Sequence, residues 1–200
     1  MAKERLKSPR VRLFVALDLP DAVRRGIAAW GREELADPAL RPVPAESLHI
    51  TLAFLGHRPE KEVGKIAQAI AESAAPAPLV ELLDPVQRPP RGRGRVFALP
   101  ASSPGAELLE TELRERLVEG RFYKPEKRPF WPHLTVARGR REGRGPNRPA
   151  AVERPPGPLP ASLREAFLGV RMTLYRSELK PTGARYSPLA QIELPGAGGS

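Results

Sequence analysis

The sequence LHITLAFLG at residues 48–56 and the sequence PHLTVAR at residues 132–138 contain the same pattern, His-x-Thr-x, among apolar residues. The chain has three histidines, and two of them, His49 and His133, occupy this pattern. Because side chains alternate between the two faces of a strand, each histidine shares a face with its threonine, Thr51 or Thr135. Each copy therefore predicts a strand that buries one apolar face and presents an imidazole and a hydroxyl on the other.

The order of elements before each copy is also repeated. The apolar stretch Val11–Leu17 and the helical pattern Asp21–Ala36 precede the first copy. Arg95–Leu99 and Pro104–Glu119 precede the second in the same order. We therefore expect two related halves whose histidine-bearing strands meet at one shared cleft.

The remaining pattern predicts an α+β fold. Short or alternating apolar runs predict strands at Val11–Leu17, Leu48–Leu55, Leu79–Val86, Arg95–Leu99, His133–Arg138, Gly169–Arg176 and Tyr186–Leu194. Apolar residues at helical spacing predict helices at Asp21–Ala36, Pro59–Ala74, Pro104–Glu119 and Ala161–Phe167. A chain of 200 residues can bury a substantial core, and we expect residues 1–200 to form a single domain.

The composition restricts the classes of function. There is no cysteine, which excludes disulfide frameworks and thiol nucleophiles. The 33 lysines and arginines exceed the 23 acidic residues, for a net charge of +10, which indicates a polyanionic partner. No apolar run approaches the length that spans a bilayer, so we expect no membrane association and a cytoplasmic protein.

Most of this excess charge lies in two short segments. Pro85–Arg95 and Arg138–Arg148 each carry a net charge of +4. They are either solvated loops or basic arms that flank an anionic site. A proline-rich run follows the second segment, so residues 139–160 are predicted to form a basic, proline-rich loop. The third histidine, His57, lies in the turn-like sequence HRPE and is predicted to be a surface residue.

Two imidazoles and two hydroxyls on one cleft are suited to acid–base chemistry on a phosphoryl group. Histidine is the side chain whose ordinary pKa allows it to donate or accept a proton near neutral pH. Threonine hydroxyls can donate hydrogen bonds to phosphoryl oxygens, on which charge is held in the transition state. No carboxylate cluster accompanies the histidines in the sequence. We therefore predict a site that acts without a metal or another cofactor.

The paired His-x-Thr-x motifs resemble those of the 2H phosphoesterase superfamily. Four segments also resemble, in the same order, those of the RNA 2′,3′-cyclic phosphodiesterases, or 2′-5′ RNA ligase-like proteins: RLFVALDLP at 12–20, SLHITLAFLG at 47–56, RPFWPHLTVAR at 128–138 and LYRSELKPTGARY at 174–186. The resemblance implies two pseudo-symmetric lobes around a central cleft, each an antiparallel sheet with helices packed outside.

The resemblance also implies a reaction, the hydrolysis of RNA 2′,3′-cyclic phosphate ends to 2′-phosphomonoesters. In that reaction His49 donates a proton to the departing 3′ oxygen, and His133 accepts one from the attacking water. Thr51 and Thr135 hold the phosphoryl oxygens. The family also uses an arginine five residues after the second histidine, which matches Arg138. Strict alternation would place Arg138 on the opposite face from His133, so this role requires the strand to end or twist before it.

The resemblance extends the site to residues outside the motifs and leaves other activities open. Phe14 either stacks on a base or packs in the core, and Ser177 and Tyr186 are predicted to line the groove. The expected partner is RNA with 2′,3′-cyclic phosphate ends, with tRNA fragments or nucleotides as candidates, and the expected state is a monomer. The alternatives are a 2′-5′ RNA ligase, a phosphodiesterase for small cyclic nucleotides, and a non-catalytic RNA-binding module. The intact His/Thr pairs oppose the last of these, and the basic segments favour an oligonucleotide.

Overall fold

The computed structural model describes residues 8–73, 75–89, 95–141, 150–180 and 183–196. Over these ranges the strands are β1 (Arg10–Asp18), β2 (Leu40–Pro42), β3 (His49–Pro59), β4 (Leu79–Leu82), β5 (Val86–Arg88), β6 (Val96–Ser102), β7 (His133–Gly139), β8 (Phe167–Leu168), β9 (Arg171–Lys180) and β10 (Gly183–Glu193). The helices are α1 (Asp21–Glu34), α2 (Val63–Glu72), α3 (Pro104–Glu119) and α4 (Ala161–Arg164). The predicted α+β class is confirmed.

The strands form an antiparallel sheet in the order β10-β9-β1-β3-β7-β6-β4-β8, with β2 paired to β7 and β5 paired to β6. We call β10, β9, β1 and β3 the first half-sheet, and β7, β6, β4 and β8 the second. The half-sheets join where Ile50 of β3 pairs with Leu134 of β7. These two residues occupy the same position in the two His-x-Thr-x copies. The join therefore places the two copies side by side and antiparallel, so that a local two-fold axis relates them.

The apolar core lies on the face of β3 and β7 away from the histidines. Ile50 and Leu134 are fully buried, and Leu52 and Val136 are nearly so. Helices α2 and α3 pack against each other, while α2 also contacts β10 and α3 contacts β3 and β4. This arrangement buries one face of the central strands and leaves the histidine face available to a ligand.

The strand that carries the first copy is longer than predicted. The sequence suggested that this strand ends at Leu55 and that a helix begins at Pro59, but β3 continues to Pro59. Pairing with the first residues of β1 extends it. His57, predicted to lie in a turn, therefore lies in a strand, with its side chain exposed as expected. A 3₁₀ turn follows, so α2 begins only at Val63.

The predicted strand Leu79–Val86 is two strands, β4 and β5, which pair with different parts of β6. The chain bends between them, where the carboxylate of Asp84 accepts hydrogen bonds from the Leu159 amide at 3.0 Å and from the Arg164 guanidinium at 2.6 Å. The predicted loop Pro85–Arg95 thus contains a strand, and residues 90–94 of it lie outside the described residues. The helix predicted at Ala161–Phe167 is the single turn α4, because Phe167 pairs with Val80 of β4.

The predicted loop 139–160 is divided into three parts. Gly139 still belongs to β7, and residues 142–149 lie outside the described residues. Residues 150–160, which we call the strap, contain neither helix nor strand and run beside α1. The Glu34 carboxylate accepts a hydrogen bond from the Gly157 amide at 2.6 Å, and Asp37 accepts two more from strap amides. In the part of the chain described, no helix is both long and apolar enough to cross a membrane.

Candidate active site

A cleft of about 280 Å³ lies on the histidine face of the sheet, above the join between the half-sheets. This volume is near the lower end of the range for small-molecule sites. The structure brings all eight residues predicted from the sequence to its walls: His49, Thr51, His133, Thr135, Arg138, Phe14, Ser177 and Tyr186. They come from β1, β3, β7, β9 and β10, so strands that are distant in the sequence build one site.

The two motifs form a compact square of side chains. Because Ile50 pairs with Leu134 in antiparallel register, one step along each strand places His49 opposite Thr135 and Thr51 opposite His133. Side chains opposite each other on one face of a sheet have Cβ atoms about 5 Å apart. Each histidine therefore has a threonine beside it on its own strand and another across from it.

Both imidazoles are held by the same local hydrogen bond. The Nδ1 atom of His49 lies 2.8 Å from the carbonyl oxygen of Ser47, and the Nδ1 atom of His133 lies 2.7 Å from that of Trp131. A carbonyl oxygen only accepts, so each Nδ1 carries the hydrogen and donates it. This assigns the tautomer and leaves Nε2 of each ring to exchange protons with a molecule in the cleft.

A β-bulge in β3 turns Phe54 into the cleft. Pairing with β1 moves from Thr51 to Ala53 in a single step of β1, so Leu52 is an extra residue. One extra residue reverses the face to which the side chains directly after it point. Leu52 and Ala53 are accordingly both buried, and the Phe54 ring, 41% exposed, lies in the cleft wall.

A second bulge, at the corresponding position of β7, turns Arg138 into the cleft. Pairing with β6 moves from Thr135 to Ala137 in a single step of β6, so Val136 is the extra residue. Val136 and Ala137 are both buried, and Arg138 then faces the same side as His133. The change of face that the role of Arg138 requires is thus supplied by the bulge, not by the end of the strand.

The ring of His49 is surrounded by aromatic rings of the first half-sheet. Phe14 stacks on it with a centroid distance of 4.9 Å and an interplanar angle of 30°. Tyr186 meets it edge-on at 5.4 Å, and Tyr175 is tilted toward it at 6.1 Å. Phe14 is only 4% exposed, so most of its surface is covered by these neighbours. We propose that Phe14 supports the His49 ring and does not stack on a base.

The ring of His133 has a different support. Trp131, two residues before it, stacks on it almost in parallel, with a centroid distance of 4.1 Å and an interplanar angle of 14°. The guanidinium of Arg88 lies over the Trp131 ring, 4.5 Å from its centroid. A cation placed in this way is attracted by the ring face. His133 is therefore the innermost member of a stack that ends in a positive charge.

The environment of each histidine favours its neutral form in the empty cleft. Burial lowers the pKa of His49 to about 4, although the Ser47 carbonyl and the charge of Asp18 act in the opposite direction. Burial also lowers the pKa of His133, and the positive charges of Arg88 and Arg138 lower it further. A phosphate group in the cleft would raise the pKa of both rings, because an anion stabilises imidazolium.

The sequence analysis did not identify three of the residues that shape the site. Phe54 carried a usable signal, because it stands five residues after His49 as Arg138 stands five residues after His133. Tyr175 carried none, since strand aromatics are common in cores. Trp131 carried none either, since it lies in the connection before β7. The Ser177 hydroxyl accepts a hydrogen bond from the Arg12 guanidinium at 3.0 Å, and that guanidinium also lies 4.7 Å from the centroid of the Phe54 ring.

The donor atoms of the cleft suit an anion. Among the residues that the structure describes, no group of three or more histidine, aspartate or glutamate side chains is placed to hold a metal ion. The cleft walls offer hydroxyls from Thr51 and Thr135 and guanidinium groups from Arg12, Arg41 and Arg138. Guanidinium and hydroxyl groups donate hydrogen bonds, which phosphoryl oxygens accept.

Comparison with protein families and curated proteins gives a consistent result. The family model for the 2′-5′ RNA ligase superfamily matches residues 19–173. An RNA 2′,3′-cyclic phosphodiesterase of Thermus thermophilus is 33% identical over 197 residues, which cover 94% of this chain and 93% of that protein. One of Escherichia coli is 32% identical over 188 residues, which cover 92% and 96%.

Solved structures agree with this result. The structure of TT0787 of Thermus thermophilus matches with a TM-score of 0.76 and 30% identity, covering 92% of this chain and 98% of that one. E. coli LigT complexed with 3′-AMP matches with a TM-score of 0.75 and 28% identity, covering 94% and 99%. The likeness therefore extends over nearly the whole of each chain.

Proposed function

Because the chain belongs to the 2′-5′ RNA ligase superfamily, we propose that it hydrolyses 2′,3′-cyclic phosphates at RNA ends and leaves the phosphate on the 2′ oxygen. Relatives that match over more than nine-tenths of the chain are named RNA 2′,3′-cyclic phosphodiesterases. The observation that carries the proposal is the pair of imidazoles whose Nδ1 atoms both donate to carbonyl oxygens. Two Nε2 atoms in one cleft supply a proton donor and a proton acceptor.

The proposed reaction is a displacement at phosphorus. Nε2 of neutral His133 takes a proton from a water molecule as its oxygen forms a bond to phosphorus. The bond from phosphorus to the 3′ oxygen breaks, and Nε2–H of protonated His49 gives its proton to that oxygen. The products are a 2′-phosphomonoester and a free 3′ hydroxyl. Proton exchange with solvent then returns both rings to their starting states.

The remaining cleft residues bind and orient the phosphate. In this proposal Thr51 and Thr135 donate hydrogen bonds to the non-bridging phosphoryl oxygens, and the Arg138 guanidinium stabilises the charge that develops on them. Ser177 and Tyr186 close the side of the cleft formed by the first half-sheet. These groups are fixed before the substrate arrives, because strands and bulges set their directions.

Phe54 provides the surface for a base. Its ring is exposed at the cleft wall, and the Arg12 guanidinium lies over it. Aromatic rings stack on nucleobases without a strong preference for one base. The structure of E. coli LigT, which this fold resembles, is complexed with 3′-AMP, so that protein binds a nucleotide. We propose that the terminal base of the RNA stacks on Phe54 while its cyclic phosphate lies between the histidines.

The test of the proposed function identifies the product. The purified protein is treated with EDTA and given an RNA oligonucleotide that ends in a 2′,3′-cyclic phosphate, with and without a second oligonucleotide that has a 5′ hydroxyl. We expect a product ending in a 2′-phosphate, identified by chromatography against 2′- and 3′-phosphate standards. A 3′-phosphate product would reverse the assignment of the leaving oxygen and contradict the roles given to His49 and His133.

The same assay separates the alternatives. A joined product that appears only with the second oligonucleotide would indicate ligation. Conversion of small cyclic nucleotides without conversion of the oligonucleotide would indicate a nucleotide phosphodiesterase. Binding without any product would indicate an RNA-binding module. His57→Ala is the matched control, because this third histidine is exposed and lies outside the cleft walls, and we expect it to keep full activity.

A further inference from the structure

The two histidines have different residues opposite them on the neighbouring outer strand. On the first half-sheet, Asp18 of β1 pairs directly with His49 of β3. At the corresponding position of the second half-sheet, Pro100 of β6 pairs with His133 of β7. Residues paired in this way point to the same face of the sheet. His49 therefore has a carboxylate beside it, whereas His133 has the uncharged proline ring in the corresponding position.

The carboxylate of Asp18 is fixed in place by three donors from β9. It accepts hydrogen bonds from Arg171 at 3.1 Å, from the Thr173 hydroxyl at 2.8 Å and from the Tyr175 hydroxyl at 3.0 Å. Asp18 is only 3% exposed. A buried carboxylate that accepts three hydrogen bonds is held firmly in its position. We call Asp18 and these three donors the Asp18 cluster.

Packed aromatic rings connect the Asp18 cluster to His49, and the charge of Asp18 also acts on His49 directly. The Tyr175 ring, whose hydroxyl holds Asp18, stacks on Phe14 with a centroid distance of 5.2 Å. Phe14 in turn stacks on His49. Burial, together with the charge of Asp18, raises the pKa of Tyr175 to about 12, so its hydroxyl remains a donor. The cluster thus fixes both the position of the imidazole and the charge beside it.

On the basis of the proposed function, we propose that Asp18 is a positioning residue that makes His49, and not His133, the proton donor. Within the motifs themselves the two rings are alike, because each has a threonine beside it and donates through Nδ1 to a carbonyl oxygen. A negative charge next to one ring stabilises its protonated form. Beside His133, by contrast, the positive charges of Arg88 and Arg138 favour the neutral ring.

Other groups face His49, and their charges determine how the test is designed. Tyr175 of β9 and Tyr186 of β10 face it with their rings, while His133 and Arg138 of β7 oppose its protonation. Among the groups that the structure places around this ring, Asp18 is the one whose charge favours protonation. Arg171 partly balances that charge and is itself paired with Glu193 at 3.0 Å.

The test is Asp18→Asn, which removes the charge and keeps an oxygen that accepts hydrogen bonds. At pH values above both histidine pKa values, the rate is proportional to the protonated fraction of His49, and below both it depends only on the neutral fraction of His133. We expect kcat to fall about tenfold on the alkaline side and to stay unchanged on the acid side. A loss of the same size at every pH would show a merely structural role and overturn the proposal.

Glu193→Gln is the matched control. Like Asp18→Asn, it removes one negative charge that is paired with Arg171. This charge lies at an exposed position outside the Asp18 cluster. We expect its pH profile to match that of the unaltered protein. If Glu193→Gln produced the same alkaline loss as Asp18→Asn, the effect would belong to the total charge of the region, and the specific role of Asp18 would be wrong.

A second variant and a direct measurement do not depend on hydrolysis. Histidine NMR titration with saturating sulfate as the anion reports His49, His57 and His133 separately. We expect Asp18→Asn to lower the midpoint of His49 by about one pH unit and to leave the other two unchanged. Pro100→Asp, which leaves the Asp18 cluster intact, should raise the midpoint of His133. Unchanged midpoints in both variants would refute the proposal, even if the protein proved to be a cyclic phosphodiesterase. Shifted midpoints without hydrolysis would refute only the proposed function.

Discussion

The strands β3 and β7 carry the same motif in the same register, yet the residues around the two motifs differ in charge and shape. Both have a bulge directly after the threonine and both hold the imidazole through a carbonyl oxygen two residues earlier. Five residues after the histidine, β3 has Phe54 and β7 has Arg138. The repeated backbone thus presents two imidazoles in matching positions, and in our proposal the side chains around them give the two halves different tasks.

The largest effect is expected from removing either of the two motif histidines. We expect His49→Ala and His133→Ala each to reduce kcat by on the order of 10²–10⁴, because each removes a general acid or base. Affinity for RNA should change little, since other groups bind the phosphate and the base. Single-turnover kinetics and a binding assay measure the two quantities separately. Near-normal turnover in either variant would contradict the two-histidine mechanism.

The next effect distinguishes the two residues that follow the bulges. We expect Arg138→Ala to reduce kcat by roughly 10²–10³, as loss of a donor to a developing oxyanion does. Phe54→Ala should mainly raise KM, by about tenfold, since base stacking contributes about 1–3 kcal/mol per base. Steady-state kinetics on a short cyclic-ended RNA give both constants.

Conservative replacements at these two positions serve as controls. Arg138→Lys keeps the charge and should recover part of kcat, and Phe54→Trp keeps the stacking surface and should recover KM. If Phe54→Ala lowered kcat and left KM unchanged, the division between binding on one strand and charge stabilisation on the other would be wrong.

The pH dependence of the unaltered protein follows from the two lowered pKa values. In the proposed mechanism the active form has a protonated His49, whose pKa in the empty cleft is about 4, and a neutral His133, whose pKa is also lowered. We therefore expect kcat/KM, which reports the free enzyme, to fall by up to tenfold per pH unit on the alkaline side, above both pKa values. Because bound phosphate raises both pKa values, the profile of kcat should lie at higher pH. Coincident profiles of kcat and kcat/KM would contradict this.

The smallest effect is expected at the end of the Trp131 stack. Arg88→Gln removes an exposed positive charge, so the pKa of His133 should rise and more of it should be protonated at low pH. We expect kcat on the acid side to fall about two- to threefold, with no change on the alkaline side. Salt screens exposed charges, so the difference in kcat between Arg88→Gln and the unaltered protein should disappear at about 1 M salt. A difference that persists there would indicate a packing effect.

The elements that carry the site could be predicted because each has a local signal. Apolar alternation located β1, β3 and β7, and helical spacing with an N-terminal proline located α3 with the boundaries Pro104–Glu119. The repeated His-x-Thr-x pattern identified four of the cleft residues without any knowledge of pairing. Signals of this kind depend only on residues a few positions apart, which is why they are readable in one sequence.

The bulges and the Asp18 cluster could not be predicted, because both depend on pairing between distant strands. Nothing in the residues around Leu52 or around Val136 indicates that this residue will be left out of the strand pairing. The partners of Asp18 follow it by more than 150 positions. The extension of β3 to Pro59 has the same origin, since its partner residues lie at the start of β1. In our proposal, these long-range contacts give the two motifs their different roles.

The pair Ile50–Leu134, at which the half-sheets join, has an evolutionary consequence. In a symmetric dimer of half-length chains, the two-fold axis would pass through this point, and every substitution near one histidine would be repeated near the other. Such a dimer could not place a carboxylate beside only one ring. Joining the two copies in one chain removes that constraint, because each copy can then acquire substitutions independently. One chain that contains both copies can therefore have the asymmetry that acid–base catalysis requires, whereas a symmetric dimer of half-length chains cannot.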